Sequence, residues 1–272
     1  VQAIQSVDLK ARVEGFLEKV NFTEGAFVNA DDVLYEIEKA PYQAAVAQAQ
    51  AKVAAAQAAI AGAKASLKNA QTNLDRQLDL VKRGTVSQAV ADDAQAQRDL
   101  AAAKVQSAEA ELQQARAQLQ AAELDLSYTT ITAPIDGRIG ATNVTEGNLV
   151  NPQTGTLATV VQVDPIRVAF SIPESLYVTF AEADGQDIRD QAEGIFEPTL
   201  ELPTGKPYGE TGRIAFASNR IDPATGSLVV YADFPNGKGV LLPGSFVNVT
   251  VQESRRESMP VVPAPAVLQD RQ

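Results

Sequence analysis

The sequence predicts an elongated, multidomain α+β fold: a long antiparallel helical hairpin inserted between the two halves of a small β-sandwich, followed by a small β-barrel. Three observations predict it. No proline occurs between Pro41 and Pro134 and no aromatic residue between Tyr42 and Tyr128, so one stretch of Ala, Gln, Lys and Glu is an almost uninterrupted run of good helix formers. The segments flanking that run resemble each other. Beyond residue 160, short alternating stretches recur between turn clusters.

The helical run comes first in the argument because everything else is arranged around it. Apolar residues recur at a spacing of seven at Val46, Val53, Ile60, Leu67, Leu74 and Val81, and an alanine follows three residues after each of the first four. The pattern returns with Val105, Leu112, Leu119 and Leu126 in one register and Ala94, Ala101, Ala108, Ala115 and Ala122 in the other. A large-plus-small heptad stripe on two successive helices is the seam of a closely packed antiparallel pair. The break lies at 83–87: Lys82 and Arg83 ahead of Gly84 suit a helix C-terminus, and Ser87 suits an N-cap, with Asp92 and Asp93 in the early turns. At a rise of about 1.5 Å per residue, helices over about 42–82 and 88–126 make a rod on the order of 60 Å long. Such a rod has too little core to be a compact domain; its use is reach.

The flanking repeat is exact in spacing. A shift of 122 positions lays Ala11–Gly15 on Ala133–Gly137 and Asn21–Gly25 on Asn143–Gly147, and eight of the nineteen positions from 11 to 29 are identical without a gap. Each copy has alternating apolar residues and a Glu-Gly turn, so each exposes an apolar face that needs its mate. The copies are expected to pack together, with the rod emerging where they join. From Val161 to Val251, turns at Pro203–Gly205, Asp222–Gly226, Pro235–Gly237 and Pro243–Gly244 separate short strands, with one short helix expected near Pro173–Ala183.

Composition narrows the function. The chain of 272 residues has a net charge of −11, against the basic face that nucleic acid requires. It contains no Cys and no His, which removes disulfides, Cys–His or Ser–His catalysis and thiolate metal ligation, and a single Met offers no soft metal site. No run of 18 uncharged apolar residues spans a bilayer as a helix. The chain opens inside a strand pattern and ends without a stop signal, so a targeting or anchoring segment is expected beyond it.

Here the pattern resembles a known family. Two such half-motifs are similar to a biotinyl/lipoyl carrier domain, and their interruption by a helical hairpin resembles the periplasmic adaptors, or membrane fusion proteins, of tripartite RND-type efflux pumps. Ala11–Gly15, Ala40-Pro41-Tyr42 at the hairpin entry and Thr130–Gly140 at its exit carry the resemblance, as do Ile221–Ser227 and Leu241–Val247 in the barrel. The resemblance implies residues 1–6 as a strand of the barrel or membrane-proximal region and 7–41 as the first lipoyl-like half. Residues 42–126 are the hairpin, 127–160 the second half, 161–255 the barrel and 256–272 the start of a membrane-proximal domain. It implies a periplasmic protein anchored to the inner membrane, with an RND transporter, a TolC-type outer-membrane channel and further copies, six in a ring, as partners. Arg76, Leu80 and Ser87 match the family's channel-docking tip motif; locally, they read equally as a surface charge, a seam flank and an N-cap. Ala40-Pro41 and Ala133-Pro134 are the expected hinges. Lys39, where carrier domains present a modified lysine, borders a proline-initiated helix and reads as a solvated lysine. No catalytic, cofactor-binding or metal-binding residue is expected. An adaptor for an ABC-type exporter, and a carrier protein with a coiled-coil spacer, are the alternatives.

Overall fold

A computed structural model describes residues 1–178 and 196–253 of the chain. Two helices form the rod, α1 over Ala40–Lys82 and α2 over Gln88–Ser127. The seam predicted from the heptads is the buried face: Ala49 and Leu74 on α1, and Ala91, Ala94, Ala101, Val105, Ala108 and Ala115 on α2, are buried. Alanine dominates that list because the small side chain lets the two backbones approach, leaving the larger seam residues to fill the space between layers. Helix α1 starts at Ala40, two residues ahead of Tyr42, so Pro41 lies inside its first turn. There its missing N–H costs nothing, and its fixed φ is already helical. Among the described residues no helix is long and apolar enough to cross a membrane.

The flanking repeats interlock rather than merely touch. Strands β1 (Ser6–Leu9), β2 (Gly15–Val20), β3 (Phe27–Val28) and β4 (Val33–Ile37) precede the rod. Strands β5 (Thr130–Thr132), β6 (Gly137–Ile139), β7 (Leu149–Val150) and β8 (Ala158–Val161) follow it. They form two sheets, β5-β4-β2-β7 and β1-β8-β6-β3, each containing strands from both halves. Gly15 pairs with Val150 in one sheet and Val28 with Gly137 in the other, which is the same pairing displaced by the repeat interval. The symmetry extends to single hydrogen bonds. The Gly25 N–H donates to the Ile139 carbonyl at 3.0 Å, and its counterpart Gly147 donates to Leu17 at 2.8 Å. Between the sheets Leu17, Leu34, Tyr35, Ile37, Ile139, Val150, Leu157 and Val160 form one core drawn from both halves. Neither half closes this core alone.

The second β unit has strands β9 (Ile166–Pro173), β10 (Phe196–Glu201), β11 (Arg213–Asp222), β12 (Ser227–Phe234) and β13 (Asn248–Glu253), in sheets β11-β12-β9 and β10-β13. Alternation along β12 puts Leu228, Val230, Ala232 and Phe234 inside, and Ile166, Val168, Leu200 and Leu241 complete a core with Ala232 and Phe234. Arg167 on β9 clamps Asp233 on β12 through two bonds of 2.6 and 2.8 Å, which raises the guanidinium's pKa above its ordinary value. The chain's first residues join this unit: Gln2 bridges Arg167, and the Gly244 N–H donates to the Val1 carbonyl at 2.9 Å. The helix expected near Pro173–Ala183 is helical over 174–178, and its remainder lies outside the described residues, as does 256–272.

Candidate functional site

Two places on the rod carry chemistry, its free tip and its attachment. At the tip, α1 ends as its sequence demands. Gly84 has φ +73°, its N–H donates to Val81 at 2.9 Å, and the Thr85 N–H donates to Leu80 at 3.1 Å. These crossed bonds satisfy carbonyls that the helix leaves open. The Thr85 hydroxyl adds a second bond to the Leu80 carbonyl at 2.9 Å, and Arg83 pairs with Asp79 at 2.7 Å. The tip is therefore a tight turn in which the last carbonyls of α1 are bonded.

The three motif residues fall on or beside this turn. Arg76 is exposed and makes no hydrogen bond or ion pair among the described residues. Leu80 is half-buried beside the seam. Ser87 occupies the N-cap position with extended backbone (φ −77°, ψ 156°), but its exposed hydroxyl makes no capping bond. That departs from the capping role the sequence suits: the Val90 N–H goes to the Ser87 carbonyl at 3.2 Å instead, leaving the hydroxyl to solvent. Asp92 and Asp93 lie past the first turn, where Asp92 accepts from Gln88 at 3.0 Å. An uncommitted guanidinium, an uncommitted hydroxyl and a partly exposed leucine on a rigid turn can bind carbonyls, carboxylates and an apolar side chain on another protein.

The seam just behind the tip is polar. Gln77 stands in the alanine register of α1 with its buried Oε1 unbonded, and Arg98 stands in the large-residue register of α2, donating to Gln71 at 2.9 Å and Asp99 at 2.9 Å.

At its other end the rod is bolted to the sandwich. The Tyr42 hydroxyl donates to the Glu14 carbonyl at 2.6 Å, and Tyr128, which caps α2, lies under the Arg12 guanidinium at 5.0 Å from the ring centre. Both rings pack on the sandwich core. The sequence had signalled these two residues, as the aromatic limits of the helical run, without showing what they hold. Ala133 is fully buried and bonded on both sides, accepting from Asp31 at 2.8 Å and donating to Asp32 at 2.9 Å. Ala40 and Pro41 open α1, with Lys39 as the N-cap residue. Lys39 itself pairs with Glu36 at 3.0 Å, and that bond, with one from Asn21, draws the Glu36 carboxyl below its ordinary pKa. No tight exposed turn presents Lys39; it sits at the start of a helix. A pair that sequence reasoning missed locks the halves together. The Val20 N–H donates to Glu146 at 2.9 Å, and the symmetry-related Thr142 N–H donates to Glu24 at 2.8 Å. The identical Glu-Gly turns were the available signal. Among the described residues no cluster of three or more His, Cys, Asp or Glu side chains could hold a metal ion.

Comparison with known proteins matches residues 5–162 to the family description "RND MFP, barrel-sandwich hybrid domain" and residues 165–255 to "RND MFPs, beta-barrel domain". The efflux pump periplasmic linker BepF of Brucella suis biovar 1 is 40% identical over 271 residues, covering 100% of this chain and 62% of its own length. The solvent efflux pump periplasmic linker SrpA of Pseudomonas putida is 35% identical over 98% of this chain and 63% of its own length. The multidrug resistance protein MdtE of Escherichia coli K12 is 35% identical over 97% of this chain and 66% of its own length. The chain thus spans less than two thirds of the length of these relatives. Among solved structures, MacA from Actinobacillus actinomycetemcomitans superimposes with a TM-score of 0.73 at 23% identity, over 93% of this chain and 77% of that one. A MacA–MexA chimera carrying the Pseudomonas aeruginosa MexA α-hairpin gives 0.59 at 24% identity, over 93% and 76%. At these identities the likeness is one of fold.

Proposed function

The chain belongs to the membrane fusion proteins of RND-type efflux systems, and from that premise we propose that it is a non-enzymatic periplasmic adaptor. It would link an inner-membrane, proton-driven RND transporter to a TolC-type outer-membrane channel for export of drugs or other small molecules. The observation that carries the reading is the rod, which rises from an interlocked base and ends in a rigid turn with unsatisfied binding groups. The names of BepF, SrpA and MdtE, which refer to periplasmic linkers, solvent efflux and multidrug resistance, support the same assignment.

The mechanism is transmission and sealing. Tyr42 and Tyr128 fix the rod's two legs to a core built from both halves, so a displacement of the sandwich moves the tip as a lever rather than dissipating in a loop. Arg76, Leu80 and Ser87 engage the channel's helix ends and bias them toward opening. Copies ring the channel axis, six in the full assembly, each held at the inner membrane. The test is drug resistance in a strain lacking its own adaptor. Arg76→Glu and Ser87→Trp abolish resistance while the helical signal at 222 nm stays unchanged; wild-type resistance from both would remove the docking role.

A further inference from the structure

We infer that Val90, on α2, is a fourth member of the tip's docking face, and that Leu78, equally apolar and equally exposed, lies outside it. The inference rests on the docking reading above, and its occupant is the same helix end of a TolC-type channel.

The argument is one of register. Two cross-helix contacts fix which residues face each other on either flank of the seam. On one flank Lys52 donates to Gln118 at 3.3 Å; on the other Lys64 pairs with Glu109 at 3.2 Å. Because the seam repeats every seven residues without a break, each flank can be followed toward the tip in whole heptads. Four heptads along from Lys52 and Gln118 stand Leu80 and Val90, facing each other across the helices. Two heptads along from Lys64 and Glu109 stand Leu78 and Gln95, on the opposite flank. Arg76, four residues before Leu80, shares the Leu80 flank.

One side of the tip therefore shows Arg76, Leu80 and Val90, with the exposed Ser87 hydroxyl at the adjoining turn, and the other shows Leu78 beside a glutamine. Val90 is 42% exposed and Leu78 40%, so solvent exposure does not distinguish them; only their flank does. A leucine–valine pair bordered by an arginine and a hydroxyl has the composition of a small interface centre, with an apolar anchor and polar groups at its margin. The motif residues alone would give a single leucine for that anchor. Val90 doubles it.

The chain has no cysteine, so single-cysteine variants at 78, 80, 87 and 90 each present one thiol, whose rate of reaction with a small alkylating reagent is read with and without the channel. The probe is a purified TolC-type channel in detergent. Protection of the thiols at 80, 87 and 90 with none at 78 supports the inference. Protection at 80 and 87 but not at 90, or equal protection at 78, overturns it and leaves the docking reading standing. No protection at any position overturns both. Affinity gives the second measurement: Val90→Asp weakens channel binding about tenfold or more, whereas Leu78→Asp stays within about twofold, and an equal loss from both sinks the assignment.

Discussion

Replacing Gly137 by alanine tests whether the two sandwich halves are held as closely as the structure places them. Gly137 is buried in β6 and has the same place in its half that Gly15 has in the other. A Cβ there would overlap the Val161 carbonyl oxygen and lie 2.8 Å from its carbon and 3.1 Å from the Gln162 nitrogen. These are backbone atoms of the last residue of β8 and the one that follows it, and β8 is paired on both sides by β1 and β6, so no rotamer change relieves the clash. Overpacking of this kind costs about 3 kcal/mol at the upper end of its usual range. Alanine recovers roughly 0.4–1 kcal/mol by restricting the unfolded chain. The net loss is about 2 kcal/mol. At Gly15 the added Cβ would meet the Ile37 Cγ2 at 2.6 Å, so the buried isoleucine must shift; a side chain moves at less cost than paired backbone, and Gly15→Ala costs about 1–2 kcal/mol. Urea unfolding followed by the NMR ring signals of the buried Tyr35 reads the sandwich separately from the helical signal at 222 nm. With a slope of about 2 kcal/mol per molar, Gly137→Ala lowers the midpoint by about 1 M. An unchanged midpoint, or a larger loss from Gly15→Ala, would refute the reasoning.

Other consequences are smaller and equally direct. Gln77→Leu removes a buried, unbonded carbonyl from the seam at nearly constant volume, and the hairpin's urea midpoint at 222 nm rises by the equivalent of about 1 kcal/mol. Because Glu24 and Glu146 make symmetry-related bonds to opposite halves, Glu24→Ala and Glu146→Ala each cost about 1 kcal/mol in the tyrosine-monitored transition; losses differing by more than twofold would show that the symmetry is not energetic. The Glu36 carboxyl, lowered by Lys39 first and Asn21 second, favours the folded state above its unfolded pKa, and that contribution is lost as pH falls through the lowered value. Its side-chain carbon shift titrates below the ordinary glutamate midpoint, and Lys39→Met returns it toward that midpoint.

Much of the architecture was legible because it is written locally. Heptad spacing placed the seam residue by residue, and Gly84 after two cations marked the turn, since helix propensity, stripe and cap depend only on neighbours within a turn or two. The 122-residue repeat likewise announced two matched β units. Where the local signals ran out, packing decided. Ser87 has the composition of a capping residue, yet its hydroxyl is left to solvent. Pro41 opens the helix as expected, but only the fold shows that Tyr42 beside it is tied to Glu14.

The amino-acid order alone determined that there would be a rod and a pair of β halves. It did not determine that β2 takes β7 as its neighbour and β3 takes β6, or that two glutamates cap the opposite half. Those facts belong to residues far apart along the chain, joined only when buried surface selects one partner from many.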